Sequence, residues 1–334
     1  MNTESLTEPL VVIKDLKKWF PVRRRLFSKS KDKGEFVHAV DGVSIEIRKG
    51  EVLSLVGESG CGKTTLARLI LRLAQPTQGV VILDGHDLFA ATKSEMRTLR
   101  VQMQAVFQDP YASLDPKKTI EQIVREPLVV NHLDKDRVKA SARVEAALEA
   151  VGLTPPRLFS RKFPYELSGG QRQRVAMARA IVIDARLIIA DEPVSMLDVS
   201  IRAEILSLML SLRKKFNLTY LFITHDLAVA RYVSERMAVM YLGRVVEIGR
   251  ADDVCTNPVH PYTKALLSAL PTADPRKRHR GVGLKGEVPN AIEIPAGCRF
   301  RPRCLFAFEK CDAEPELIEV GKDHYAACYL GQRS

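Results

Sequence analysis

Three short stretches carry residue types at spacings that chemistry needs. Gly57 to Thr65 reads GESGCGKTT, after an apolar run, Val52 to Val56, and before a helix-like stretch, Leu66 to Leu73. That is strand, glycine-rich loop, helix. The pattern G-x-x-x-x-G-K-T is met by Gly57, Gly62, Lys63 and Thr64. Glycines let the backbone wrap a phosphate chain, so that its N–H groups and the helix N-terminus face the anion. Ser59, Gly60, Cys61 and Thr65 complete the loop, with Cys61 a small filler rather than a reactive thiol. Lys63 is expected to reach the β- and γ-phosphates, and the Thr64 hydroxyl to sit on Mg²⁺.

The second stretch is Leu187 to Ala190, wholly apolar and ending in Asp191-Glu192. Phosphoryl transfer is mostly positioning and electrostatics, so it needs a metal ligand and a way to activate water. Asp191 is placed for the first, and Glu192 for the general base. The third stretch, Leu167 to Gln171, reads LSGGQ and opens a basic amphipathic helix, Arg172 to Ile183. It offers the Ser168 hydroxyl, the N–H groups of Gly169 and Gly170 and a helix N-terminus, all anion binders. It stands over a hundred residues from Lys63 and occurs once.

Six cysteines are present: Cys61, Cys255, Cys298, Cys304, Cys311 and Cys328. The last four are spaced C-x5-C-x6-C-x16-C. Four thiolates can hold zinc or an iron–sulfur cluster. Without a C-x2-C knuckle the spacing leans toward the larger cluster. Four reduced thiols in a small core is the plainer alternative. His324 is a possible substitute ligand, and Cys255 lies outside the set.

The elements that must position these residues follow from the apolar pattern. Leu10 to Leu16, Val37 to Ile47 around a turn at Asp41-Gly42, Val80 to Leu83 and Gln102 to Phe107 read as strands. Tyr220 to Thr224, ending in His225-Asp226, Ala238 to Tyr241 and Arg244 to Ile248 read as further strands. Thr119 to Gly152, Ala203 to Phe216, Leu227 to Tyr232 and His260 to Pro271 read as helices. The segment DPYASLDP, with a proline at both ends, is expected to be irregular. Strands and helices alternate with polar residues at strand ends, which predicts a layered α/β fold with its site at those ends. Thr272 to Pro295 reads as an arm.

The chain has 334 residues, 46% of them hydrophobic, and a net charge of +11. It is long enough for one large domain and a smaller one. No stretch approaches 18 apolar residues, so no transmembrane helix is expected. The N-terminus lacks the pattern of a signal peptide, which predicts a cytoplasmic location. Arg23, Arg24, Arg25, Lys29, Lys31 and Lys33 cluster in one loop, and Arg276, Lys277, Arg278 and Arg280 in another. Such patches can touch nucleic acid or anionic lipid, and solvated loops are the plainer reading; aromatics do not recur along them as base stacking needs, so nucleic acid is not an expected partner.

LSGGQ followed by LIIADE resembles the signature and Walker B motifs of ATP-binding-cassette (ABC) ATPases. Gln108 is similar to the family's Q-loop glutamine, which binds the metal or water and couples to the membrane partner. Ser195 to Asp198, SMLD, resembles the D-loop, with Met196 where alanine is usual and Asp198 kept. His225 matches the switch histidine that contacts the γ-phosphate. An aromatic near the first strand stacks on adenine in this family, which points to Phe20 and then Trp19. DLKKWFPV, FQDPYASLDP, SGGQRQRVAMARA, HPYTKALLSALP and the cysteine region together resemble the ATP-binding subunits of dipeptide and oligopeptide importers. The resemblance implies an ABC nucleotide-binding domain: a RecA-like α/β core, an antiparallel β subdomain and a helical subdomain. It places an ATPase domain at 1–250 with the helical subdomain near 94–180, a connecting helix and arm at 251–297, and a cysteine-rich tail at 298–334. It implies ATP, Mg²⁺ on Thr64, Gln108 and Asp191, and a [4Fe-4S] cluster on Cys298, Cys304, Cys311 and Cys328, with zinc as the alternative. It implies as partners a second, related ATPase subunit, two transmembrane permease subunits and an extracytoplasmic substrate-binding protein, at the cytoplasmic face of the membrane. Nickel or another small solute is the alternative cargo, and a soluble ABC ATPase acting on nucleic acid the competing function.

Overall fold

The computed structural model describes residues 8–22, 35–269 and 289–332. Both basic clusters and most of the arm expected after residue 272 lie outside the described residues. The chain divides into two compact units. One holds Ala90–Ile223 with the segments 1–10 and 47–52; the other holds Val11–Glu46, Leu53–Phe89 and Thr224–Ser334.

The first unit is built on three parallel strands, β6 (Met103–Val106), β7 (Leu187–Asp191) and β8 (Thr219–Thr224). Gln104 pairs with Ile188, and Ile188 with Tyr220. Every residue of β7 and β8 is buried, as expected for parallel strands covered on both faces. Around them stand α2 (Lys93–Gln102), α3 (Pro110–Ser113), α4 (Ile120–Val130), α5 (Arg137–Ala150), α6 (Pro156–Ser160), α7 (Gly169–Ile181) and α8 (Val199–Phe216). The helix expected over Thr119 to Gly152 is two helices. Asp136 restarts the second by accepting the N–H groups of Val138 and Lys139 at 3.1 Å each, an N-cap that fixes where it begins. Reciprocal capping boxes start α2 (Thr92, Glu95), α4 (Thr119, Gln122) and α7 (Ser168, Gln171). One turn of helix, α3, sits inside the segment expected to be irregular.

The second unit contains an antiparallel sheet in the order β2 (Phe36–Arg48), β1 (Pro9–Pro21), β4 (Gln78–Leu83), β5 (His86–Asp87). Val37 to Ile47 was expected to turn at Asp41-Gly42, yet β2 runs straight through it. Asp41 is buried there, and an ion pair with Arg299 compensates its charge. In the same unit β3 (Val52–Val56) pairs in parallel with β9 (Arg236–Tyr241). Antiparallel neighbours then follow: β10 (Arg244–Arg250), β12 (His324–Ala326) and β11 (Ile318–Gly321). Helices α1 (Lys63–Ile70), α9 (Leu227–Val233), α10 (Ala251–Thr256) and α11 (Pro261–Ser268) complete it.

The last described residues are therefore woven into the second unit. Phe300 shares a buried cluster with Val56, Tyr241, Val246, Val254 and Tyr262, and Cys298 and Cys304 pack against it. Glu247 on β10 is fully buried, yet its carboxylate accepts the N–H groups of Val259 (2.7 Å) and His260 (3.0 Å) and lies 2.8 Å from His324 Nε2. A buried charge needs such a set of partners. No described helix is long and apolar enough to cross a membrane.

Candidate nucleotide site

In the second unit, β3 delivers the chain into Gly57 to Thr65, and α1 begins at Lys63 with Gly62 as its cap. Two glycines are obligatory there. A Cβ on Gly57 would stand 2.2 Å from the Met240 carbonyl oxygen, and one on Gly62 2.0 Å from that of Ala39. Both have positive φ, 154° and 111°, which side chains resist. Lys63 is buried and donates to the carbonyls of Gly57 (2.7 Å) and Glu58 (2.9 Å). Ser59, Gly60 and Thr64 are exposed, so the face that would meet an anion is open. Burial pushes the Cys61 thiol up, and the nearby Lys63 ammonium only partly offsets that. Cys61 is buried and packs as a small apolar group.

Trp19 and Phe20 differ in their commitments. The Trp19 indole donates to Asp41 Oδ1 at 2.8 Å and lies 4.6 Å from the His38 ring. Burial pushes the Asp41 carboxyl up, but hydrogen bonds from Arg299 and Trp19 outweigh it and hold the carboxyl below its usual range. Phe20 is 40% exposed, with the Lys18 ammonium over its ring at 4.9 Å. His225 is exposed, in the turn before α9. Asp226 fixes that turn by accepting from the N–H groups of Ala228 and Val229.

In the first unit, Asp191 ends β7 and is 8% exposed. Glu192 follows with a left-handed φ of 49°, held by its N–H on the Ile223 carbonyl at 2.9 Å. Gln108 Nε2 donates to Glu192 Oε2 at 3.2 Å. The turn after Glu192 is closed by Ser195, whose N–H and hydroxyl both donate to the Glu192 carbonyl. Asp198 caps α8 by position, with no side-chain bond to that helix end. Ser168 accepts the Gln171 N–H at 3.3 Å, which leaves its own hydroxyl proton as a donor. A Cβ on Gly170 would meet Ile201 Cγ2 at 2.7 Å, and one on Gly169 would meet Leu197 at 3.5 Å. The glycines of LSGGQ therefore also let α7 approach α8. Within this unit the fold brings Gln108 to the Asp191-Glu192 pair from 84 residues before Glu192.

The cluster expectation is corrected. Among the described residues no group of three or more His, Cys, Asp or Glu side chains could hold a metal ion, so neither the [4Fe-4S] cluster nor the zinc alternative stands. The four cysteines line one tight niche with Phe300, Phe306 and Pro315, in which only about 10 Å³ is open to a water molecule. All are free thiols. Burial, reinforced by the neighbouring cysteines, pushes Cys298 up to about 11, and Cys328 is also raised. Burial disfavours the thiolates of Cys298 and Cys328, so these two stay neutral and pack as small apolar groups. His324 is bound to Glu247 instead of joining them.

Three residues escaped sequence reasoning. Glu58, the second residue of the glycine-rich loop, gives its N–H to Tyr262 Oη at 2.8 Å and takes both terminal nitrogens of Arg303, at 2.7 and 3.2 Å. The partners lie 204 and 245 residues away. The HPYT segment signalled Tyr262, and it marked the family rather than the contact.

Fold and motifs define an ABC-type ATPase. A family model described as ABC transporter matches residues 40–195, and one described as oligopeptide/dipeptide transporter, C-terminal region, matches 246–311. The chain is 46% identical to the oligopeptide transport ATP-binding protein AppF of Bacillus subtilis, over 98% of this chain and 99% of that one. It is 42% identical to the dipeptide transport ATP-binding protein DppF of Escherichia coli, over 98% and 97%. Among solved structures, CbiO1 of Clostridium perfringens, part of the cbiONQ transporter complex, superposes with a TM-score of 0.63 at 26% identity, over 75% of this chain and 91% of that one. A dimeric ATP-binding cassette with ADP and Pi gives 0.61 at 28%, over 72% and 98%. The chain belongs to the oligopeptide/dipeptide family of ABC-transporter ATP-binding subunits, and it is an ATPase.

Proposed function

We propose that this ATPase drives uptake of di- or oligopeptides. The names of the relatives support the cargo. In this reading Lys63 and the loop N–H groups of Gly57 to Thr65 hold the triphosphate, and the exposed ring of Phe20 stacks on adenine. The donors Thr64, Asp191 and Gln108 are oxygens, the ligands Mg²⁺ prefers, and a bound Mg²⁺ supplies charge neutralisation at the phosphate oxygens. Glu192 takes the proton of the attacking water, and His225 contacts the γ-phosphate. Ser168, Gly169, Gly170 and Gln171, at the end of the helical subdomain, cover a partner's nucleotide with Asp198 beside them. The observation that carries the reading is the Gln108–Glu192 hydrogen bond. It fixes a carboxylate in a strained turn directly after Asp191, as a general base requires.

The partners in this reading are a second, related ATPase chain, two permease subunits and an extracytoplasmic binding protein, with this chain on the cytoplasmic face of the membrane. Glu192→Gln is expected to retain ATP and cut turnover by at least about a hundredfold, the usual range for losing a general base. Wild-type phosphate release from that variant would remove Glu192 from the role. For the cargo, uptake of a labelled dipeptide by cells is expected to vanish with the chain and return with it. Uptake that persists without the chain, or loss of nickel uptake alone, would sink the peptide reading.

A further inference from the structure

Glu58 is an acid in a loop whose proposed task is to hold a triphosphate. Left bare, its carboxylate would repel that ligand. The structure does not leave it bare. Arg303 forms a two-pronged pair with it, and Arg303 is itself 5% exposed, its guanidinium over the rings of Tyr241 and Phe300 at 5.9 and 6.0 Å. Such a fork fixes a carboxylate in direction as well as in charge. Tyr262 is fully buried against Tyr241 (4.7 Å) and Phe300 (5.5 Å), and its hydroxyl accepts the Glu58 N–H. The Glu58 carbonyl accepts from Lys63. One loop residue is thus held at its N–H, its carbonyl and its side chain. Tyr262 and Arg303 both fall in the matched C-terminal region, 246–311, outside the matched ABC segment.

We propose that Arg303 and Tyr262 are positioning residues of the nucleotide site: through Glu58 the C-terminal region fixes the shape of the phosphate loop, neutralises its one acidic side chain and so sets its affinity for ATP. This rests on the reading of Gly57 to Thr65 as the phosphate loop. The C-terminal region, whose family description concerns transport, thereby acts on the nucleotide.

The test is MgATP affinity of the purified full chain by calorimetry, with a melting curve for each variant. Arg303→Gln is expected to weaken ATP about tenfold, the effect of roughly one uncompensated charge interaction. In a Glu58→Gln background the same substitution should change affinity less than about twofold, because the carboxylate that Arg303 covers is gone. Equal weakening in both backgrounds would make Arg303 merely structural, and no weakening in either would overturn its role outright. Arg303 is buried, so its loss could prevent folding. Tyr262→Phe, which removes one hydroxyl, is the second variant and is expected to weaken ATP about threefold or more, the cost of a part-buried N–H without its acceptor. Wild-type affinity in Tyr262→Phe would remove Tyr262 from the proposal. Lys63→Ala separates the two levels. Undiminished binding in it refutes the loop assignment itself, whereas lost binding beside an unaffected Arg303→Gln refutes only this inference.

Discussion

Gly57 and Gly170 look alike in sequence, each a glycine in a motif, but the structure gives them different reasons. The Gly57 Cβ position collides with a backbone carbonyl at 2.2 Å and its φ is positive, whereas that of Gly170 meets only the end of the Ile201 side chain. Gly57→Ala is expected to cost about 3 kcal/mol, and Gly170→Ala about 1, since a methyl of Ile201 can shift and a strand carbonyl cannot. Denaturant midpoints of the two variants decide the order, and a reversed order would refute it. Residue types at this scale were largely readable. Gly57, Gly62, Lys63, Asp191 and Glu192 announce themselves because phosphate-binding backbones and strand ends tolerate few alternatives. The contact of Gln108 with Glu192 spans 84 residues, and that of Arg303 with Glu58 spans 245. No local spacing encodes either.

At the level of elements, the wholly buried strands were the easiest to place, because a continuous apolar run leaves little choice. Polar residues misled where tertiary partners decide. Asp41-Gly42 has the composition of a turn, but Arg299 and Trp19 hold Asp41 inside a strand. The cysteine spacing suggested a ligand set, but aromatic and proline neighbours make it a packing corner. The start of α11 carries a titration. Burial holds the His260 imidazole down at about 4, from an ordinary 6.5, against the pull of Glu247, and Lys264 adds to the depression. Between those values the unfolded chain binds a proton that the folded chain does not. Stability is therefore present above about pH 6.5 and is lost as pH falls toward 4, by up to roughly 3 kcal/mol. His260→Gln, which keeps an acceptor for the Tyr262 N–H, should flatten that part of the melting-temperature profile. An unchanged slope would mean that another group is responsible.

For the molecule as a whole, the C-terminal region belongs to the fold of the second unit. Ending the chain at residue 297 removes Arg299, Phe300, Arg303 and His324 together. Asp41 then loses its ion pair, Glu247 one of its three partners and Tyr241 and Tyr262 an aromatic neighbour. Such a truncation is expected to lower the melting temperature by well over ten degrees, or to leave the chain insoluble, because several buried groups are orphaned at once. A soluble truncation melting within a few degrees of the full chain would contradict this. The same network has an optical use. Trp19 is the chain's sole tryptophan, its indole N–H rests on the Asp41 carboxylate, and it adjoins Phe20, the residue proposed above to meet adenine. Indole emission comes from that one place, so colour and quenching can follow nucleotide arrival at Phe20, and loosening of Arg299 from Asp41, in unlabelled protein.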